Sequence, residues 1–212
     1  MTNDGSNTLT YDAESRVVTS AAAQSASYVY DGASLRVKKC APNCTSPTTT
    51  VYIFSGSKVV AEYVNGAAVG SPTREYVYAG AQLIATHEAG ALKFHYRDHL
   101  SARVTSDASG GSRTEQAHYP YGEQWYNASG SKLLLTSYER DSESGNDYAT
   151  FRSHISRLGR FCSADLVPGI TDSPQSLNRY SYVLNDAINL VDPDGLAPCP
   201  LLVAGSRPIH ST

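Results

Sequence analysis

Several things are scarce in this chain, and each shortage excludes something. None of its 212 residues fall in an apolar run of about 18, the length a membrane-spanning helix needs. Charged residues make up only 17% of the chain, 17 basic against 20 acidic, for a formal net charge of -3. No basic run marks a nucleic-acid or anionic-membrane partner. The opening MTNDGSNTLTYD lacks the basic and apolar regions of a signal peptide. The expectation is a chain that is secreted or held at a cell surface only as part of a longer parent. Cysteine is sparse as well: Cys40, Cys44, Cys162 and Cys199. The first two form CAPNC in a Pro-rich loop, open to three readings: an incidental pair, a local disulfide, or half a zinc site. Cys162 and Cys199 lack a matching paired spacing, so no metal and no cofactor is expected.

Tyrosine is plentiful, fifteen against four Phe. It favours strands, and it carries an apolar body with a polar tip. Together with abundant Ser, Thr, Asn and Gly it suits extended structure with many turns. A degenerate repeat supports this: TYDAESRVV, YVYDGASLRVKK, YIFSGSKVVAEYVNG, YVYAGAQLIATHEAG and FHYRDHLSARVTSDASGG. Each unit opens on an aromatic, turns on small or acidic residues, and returns with alternating Val, Leu or Ile. Anchored on Tyr11, Tyr30, Phe54, Tyr78, Tyr96 and Tyr119, the period is roughly 18 to 24 residues, in the range of stacked repeats. Tyr28-x-Tyr30 and Tyr76-x-Tyr78 place aromatics on one strand face. Asp31-Gly32 and Asn65-Gly66 are the residues expected in tight hairpin turns. One hairpin cannot bury its apolar face alone, so the units should lie side by side in one sheet with an open first edge. A C-terminal piece of a longer array fits that pattern.

From about Gln116 the character changes. KLLLTSYERD reads as a short apolar strand running into charge, and SLNRYSYVLNDA as a short helical turn ending near Asn185. Asp141–Asp147, DSESGND, has some likeness to a calcium loop, but its twelfth position is Arg152, not Glu, which favours a hairpin turn. His87, His95, His99, His118, His154 and His210 show no catalytic or metal spacing and are expected to pack or face solvent. The organisation expected is repeat hairpins over 1–115, a compact irregular plug over 116–196, and a short tail over 197–212.

The segments YRDHLSARVTSDASG, YPYGE, ERDSESGNDY, LGRF-x3-D (Leu158 to Asp165), SLNRYSYVLND and DPDGL resemble, in order, the RHS-associated core domain of the RHS and tyrosine-aspartate (YD) repeat family. The likeness covers roughly residues 94 to 196, with looser repeat matches before. It implies a mainly β fold: antiparallel hairpins forming part of a curled sheet or shell, closed by the core plug, which contains short helical turns. It also implies partners, either the remainder of such a shell or an encapsulated C-terminal polypeptide, often a toxin. Finally, it implies that the core can cut its own chain in cis after the Leu of the closing motif, here at Leu196-Ala197, using Asp165, Asp192 and Arg152. The chemistry is sound in principle, since two neighbouring carboxyls can hold one proton between them and an Arg can orient the ionised one. Any enzyme activity is expected to go no further than this. Departures from the family pattern are Ser101 after His99-Leu100, Ala149-Thr150-Phe151-Arg152-Ser153-His154 where an aromatic-rich segment is usual, and Leu166 after Asp165. The tail APCPLLVAGSRPIHST is too short to fold alone, so a scaffold comes first. Another reading is a carbohydrate-binding or adhesion module, with exposed Tyr and Trp125 stacking on cell-surface glycans. A truncated, non-functional remnant is a further one.

Overall fold

The computed structural model describes residues 1–21, 24–42 and 48–200. Cys44 lies outside the described residues; Cys40 is disulfide-bonded, and Cys162 is a free, buried thiol. The chain is mainly antiparallel β. Twelve strands pair strictly in chain order: β1 Thr8–Tyr11, β2 Val17–Ala21, β3 Ser25–Tyr30, β4 Arg36–Cys40, β5 Thr49–Ser55, β6 Lys58–Val64, β7 Arg74–Ala79, β8 Gln82–Glu88, β9 Ala91–Arg97, β10 Ala102–Asp107, β11 Arg113–His118 and β12 Gln124–Asn127. Among the described residues no helix is long and apolar enough to cross a membrane.

The repeat has a structural signature that composition alone does not announce. Each repeat aromatic is the last or next-to-last residue of an odd-numbered strand or directly follows it, and beside it the ladder slips by one residue. The extra residues are Val18, Val37, Val60, Ile84, Arg103 and Trp125, one per hairpin. The pairings between hairpins carry no such slip. A bulge bends its strand and increases local twist. Six at the same place in successive hairpins therefore curl the sheet in one sense instead of leaving it flat.

Alternation then sorts the faces. Tyr28, Tyr52 and Tyr76 point inward and are buried, while Val29, Val51, Ile53 and Val77 lie on the outer face. The anchor tyrosines tie each hairpin to its predecessor: the Tyr30 hydroxyl donates to the Val17 carbonyl at 2.8 Å and that of Tyr78 to Val59 at 3.1 Å. The turns differ from expectation at Asp31-Gly32. Gly32 is not left-handed; Ser34 is, at φ 64°. The Asp31 carboxylate accepts the amides of Ala33 and Leu35, both at 2.9 Å, so the side chain closes a longer loop and a two-residue turn is not needed. Asp12 does the same for Glu14 and Arg16, which accounts for an Asp after the repeat Tyr. Asn65 and Gly66 are both left-handed, at φ 54° and 72°, but they open the longer loop before β7.

On the concave side sits a second layer. It holds a four-stranded sheet of β13 Glu139–Arg140, β14 Asp147–Ala149, β15 Arg152–Ile155 and β16 Arg160–Phe161, and a pair, β17 Leu190–Val191 with β18 Cys199–Pro200. Single 3-10 turns occur at Leu135–Ser137, Ser156–Leu158, Pro174–Leu177 and Val183–Asn185. The last fits the helical turn expected near Asn185. DSESGND is a hairpin connection between β13 and β14, as expected. KLLLTSYERD departs from expectation. Leu134 and Leu135 are buried at a 3-10 turn, because tertiary packing against Phe161 and Tyr182 outweighs the strand preference of the run. The layers share a core: Ile155 and Cys162 pack with Leu9, Val17, Ala26 and Tyr28 of the first hairpins.

Charge also joins the layers. The carboxylates Glu139, Asp141 and Glu143 alternate along one edge of the second layer and enter a buried ladder. Arg36 meets Asp141 at 2.6 Å and Glu139 at 3.2 Å, and Lys39 meets Asp141 at 2.8 Å. Tyr52 and Tyr28 donate to Glu139 and Glu143 at 2.9 and 3.0 Å. The inward tyrosine tips thus serve as hydrogen-bond donors to a buried acidic row.

A smaller node makes a pH prediction. The Asp4 carboxylate accepts the amides of Ser6 and Asn7 and the side-chain amides of Asn7 and Asn146, and it pairs with Arg157. Burial alone raises this carboxyl, but hydrogen bonds from Asn146, Asn7 and Ser6 outweigh it and bring it from 3.8 to about 2. Its folded pKa is depressed, so its contribution is present above the unfolded value and is lost as pH falls from about 4 through about 2. Melting temperature measured across that window should fall less in Asp4→Asn than in the unmodified chain.

Candidate functional site

Arg152, at the start of β15, is the hub. The short turn between β14 and β15 places it, with Thr150 left-handed at φ 60°. Its guanidinium lies over the Phe161 ring of β16, 3.6 Å from the centroid. This flat stack leaves its edge nitrogens free to reach three separate segments. Nη2 meets Asp165 Oδ2 at 2.8 Å and Asp192 Oδ2 at 3.3 Å. Nε donates to the Gly195 carbonyl, and Nη1 to the Arg179 carbonyl at 3.3 Å. All three residues expected from the sequence are therefore brought onto one guanidinium.

The two carboxyls differ in setting. Asp165 is partly exposed and its chain is held by Arg179: the Asp165 amide donates to the Arg179 carbonyl at 2.8 Å, and the Arg179 side chain donates back to the Asp165 carbonyl. Asp192 is 1% exposed. Burial raises its pKa; Arg152 opposes the rise, and the neighbouring Asp194 charge adds to it. Burial likewise lowers the pKa of Arg152, against the pull of Asp165 and Asp192. The pair thus sets a buried carboxyl, its pKa raised by burial, beside a partly exposed one on the same cation, an arrangement suited to acid and base roles.

The closing DPDGL wraps around Asp192. Its Oδ1 accepts the amides of Gly195 at 2.9 Å and Leu196 at 3.1 Å, and Asp194 Oδ1 also accepts the Leu196 amide at 3.1 Å. The Phe151 amide donates to the Asp194 carbonyl at 3.0 Å. Leu196 is half-buried and Ala197 exposed, in the loop between β17 and β18, which remain paired on either side. The bond between them is held in a short loop anchored on the Asp192 carboxylate through the Leu196 amide, with Ala197 open to water.

Gly195 is needed here for two reasons. It is left-handed at φ +81°, and a Cβ would stand 2.6 Å from the Ala149 carbonyl oxygen. Gly195→Ala should lower stability by roughly 2 kcal/mol or more. Gly66→Ala, also left-handed but with open space around it, should lose only the backbone share. Urea unfolding of the two variants is the comparison.

Sequence reading missed Tyr138, whose hydroxyl donates to the Asp192 carbonyl, as well as Arg179 and Phe161. Nothing local marks them. The buried His154, between Tyr138, Phe161 and Tyr182 with Nδ1 3.5 Å from Asp147 Oδ2, packs as histidines here were expected to. His95 does too, with Nε2 3.0 Å from Thr86 Oγ1.

No protein-family model matches the chain. It is 29% identical over 204 residues to the tRNA3(Ser)-specific nuclease WapA of Bacillus spizizenii, an alignment covering 92% of this chain and 9% of WapA. A TcdB2–TccC3 crystal structure without its hypervariable C-terminal region matches at TM-score 0.65 and 23% identity, over 90% of this chain and 10% of that one. The Photorhabdus luminescens Tc holotoxin pore with a mutated TccC3 matches at TM-score 0.67 and 21% identity, over 98% of this chain and 11% of that one. The chain therefore spans about a tenth of the length of the proteins it matches, and it shares with the Tc structures a mainly antiparallel β fold.

Proposed function

We propose that this chain is a wall-and-plug portion of an RHS-type toxin shell, exported as part of a longer parent, and that its plug cleaves the Leu196-Ala197 bond in cis. The curled sheet, backed on its concave side by a second layer, suits a shell wall. The likeness to WapA and to the Tc toxin structures supports toxin delivery as the setting. The observation that carries the cleavage reading is the convergence of Asp165, Asp192 and the Gly195 carbonyl on Arg152.

In this reading Asp165, ion-paired with Arg152, takes a proton from a water as its oxygen adds to the Leu196 carbonyl carbon. Asp192 gives its proton to the departing Ala197 nitrogen. The C–N bond breaks, Leu196 is left as a carboxylic acid and Ala197 leaves as an amine, which then takes the acid's proton. One water is consumed, and the proton taken by one carboxyl replaces the one given by the other. Arg152 holds the ionised carboxylate and, through Gly195, the loop that carries the bond. The test is intact-mass analysis of the purified chain: a product ending at Leu196 is expected, and a chain that stays whole on prolonged incubation at mildly acidic and neutral pH rejects the cleavage.

A further inference from the structure

We propose that Tyr138 is a positioning residue for Asp192, holding its peptide carbonyl so that its carboxyl faces the closing loop. The inference rests on the self-cleavage reading above and adds to it a residue that the carboxyl–arginine cluster does not include. The Tyr138 hydroxyl donates to the Asp192 backbone carbonyl, and the Tyr182 ring lies in the same core cluster as the Tyr138 ring. Both rings are buried, as is Asp192. Tyr182 packs on His154 at 4.8 Å and on Phe161 at 5.9 Å between centroids. Phe161 is the ring that carries the Arg152 guanidinium. The tyrosines and Arg152 therefore belong to one packed layer around Asp192. Burial, then the Asp192 charge, hold the Tyr138 hydroxyl well above its ordinary pKa, so it remains a donor at neutral pH.

Two independent features argue that this layer serves more than stability. Among the described residues, Tyr182 Oη and the neighbouring Thr136 Oγ1 are buried without a hydrogen-bond partner. Buried hydroxyls in that state are destabilising and uncommon. Left-handed backbone also brackets both tyrosines. Thr136 and Ser137, at φ 48° and 68°, precede Tyr138, and Val183, Leu184 and Asn185, at φ 42°, 56° and 68°, follow Tyr182. β-branched Thr136 and Val183 are poorly suited to that region. Unsatisfied hydroxyls and strained backbone fall on the segment that presents Tyr138 to Asp192 and on the one packed beside it. Strain of this kind persists where the surrounding structure imposes it, and it gathers at working sites.

The experiment follows tail release by intact mass over time in the full chain carrying Tyr138→Phe or Tyr182→Phe, beside thermal unfolding. Each variant keeps its ring; Tyr138→Phe should slow release about tenfold, the rate equivalent of one lost hydrogen bond, and Tyr182→Phe, which removes none, should release near the unmodified rate. Tyr182→Phe should melt at or above the unmodified chain, because it deletes an unsatisfied buried hydroxyl; a purely structural hydroxyl would melt lower on removal. Replacing Tyr138 with 3-fluorotyrosine, which keeps the hydroxyl, should restore release, and this variant decides the matter if Tyr138→Phe folds poorly. A Tyr138→Phe chain that releases at the unmodified rate, or a fluorotyrosine chain as slow as the Phe one, overturns the positioning role while leaving self-cleavage standing. An unmodified chain that never releases its tail overturns the cleavage reading, and the positioning role with it.

Discussion

An Asp192→Asn chain should keep its tail, with release at least ~100-fold slower than in the unmodified protein, the usual cost of losing a positioned acid. Asparagine preserves the shape of the loop, because its Oδ1 can still accept the amides of Gly195 and Leu196 that Asp192 Oδ1 accepts now. What it cannot do is yield a proton. The fold should therefore survive while the chemistry stops, which separates the acid role from a purely structural one. The pH dependence carries the same sign. Burial holds the Asp192 proton to higher pH than an ordinary carboxyl, so release should persist above the usual carboxylate range and decline as pH rises through the raised value. Time-resolved intact mass across a pH series gives both numbers. Release by the Asn variant at the unmodified rate would remove Asp192 from the chemistry.

The second large effect concerns the ladder that joins the layers. Arg36→Met should cost about 3–5 kcal/mol, the range for removing one partner of a buried ion pair. Arg36 is 2% exposed and pairs with both Asp141 and Glu139. Its guanidinium also stacks on Tyr148, 4.0 Å from the ring centroid. Burial pushes the Glu139 pKa up, but Lys132, Arg36 and Lys39 together hold it well below the ordinary range. Deleting Arg36 leaves that burial cost less compensated. Arg16→Ala is the control: its partner Glu14 is 64% exposed and its second partner, Asp12, lies within the same loop, so the loss should stay near or below about 1 kcal/mol. Equal losses for the two variants in urea titrations would mean that the ladder adds little to stability.

The period-2 alternation of Tyr28-x-Tyr30 and Tyr76-x-Tyr78 and the small residues between strands were enough to expect antiparallel hairpins side by side in one sheet; its curl was implied only by the family resemblance. These signals are local, since side-chain direction in a strand alternates with sequence and turn residues act on neighbouring backbone. The candidate carboxyls, Asp165 and Asp192, and their Arg152 were nameable from their places in DPDGL and its companion motifs. The turn at Asp31 was misread because a side-chain carboxylate, which no residue-pair rule includes, closes it. The acidic row of Glu139, Asp141 and Glu143 looked like an ordinary turn until Arg36 and Lys39, about a hundred residues earlier, were seen opposite it.

Sequence by itself determined the hairpin repeat and the strand faces, because each follows from neighbours along the chain; Asp165, Asp192 and Arg152 were named only through the family resemblance of the closing motifs. Tertiary structure decided the rest. It set the bulge at each hairpin that curls the sheet, turned KLLL into a buried turn, and laid Arg152 on Phe161 so that Asp165 and Asp192 share one guanidinium. Those outcomes depend on which surfaces are excluded from water together. That is a property of distant segments packed against each other, which spacing along the chain does not encode.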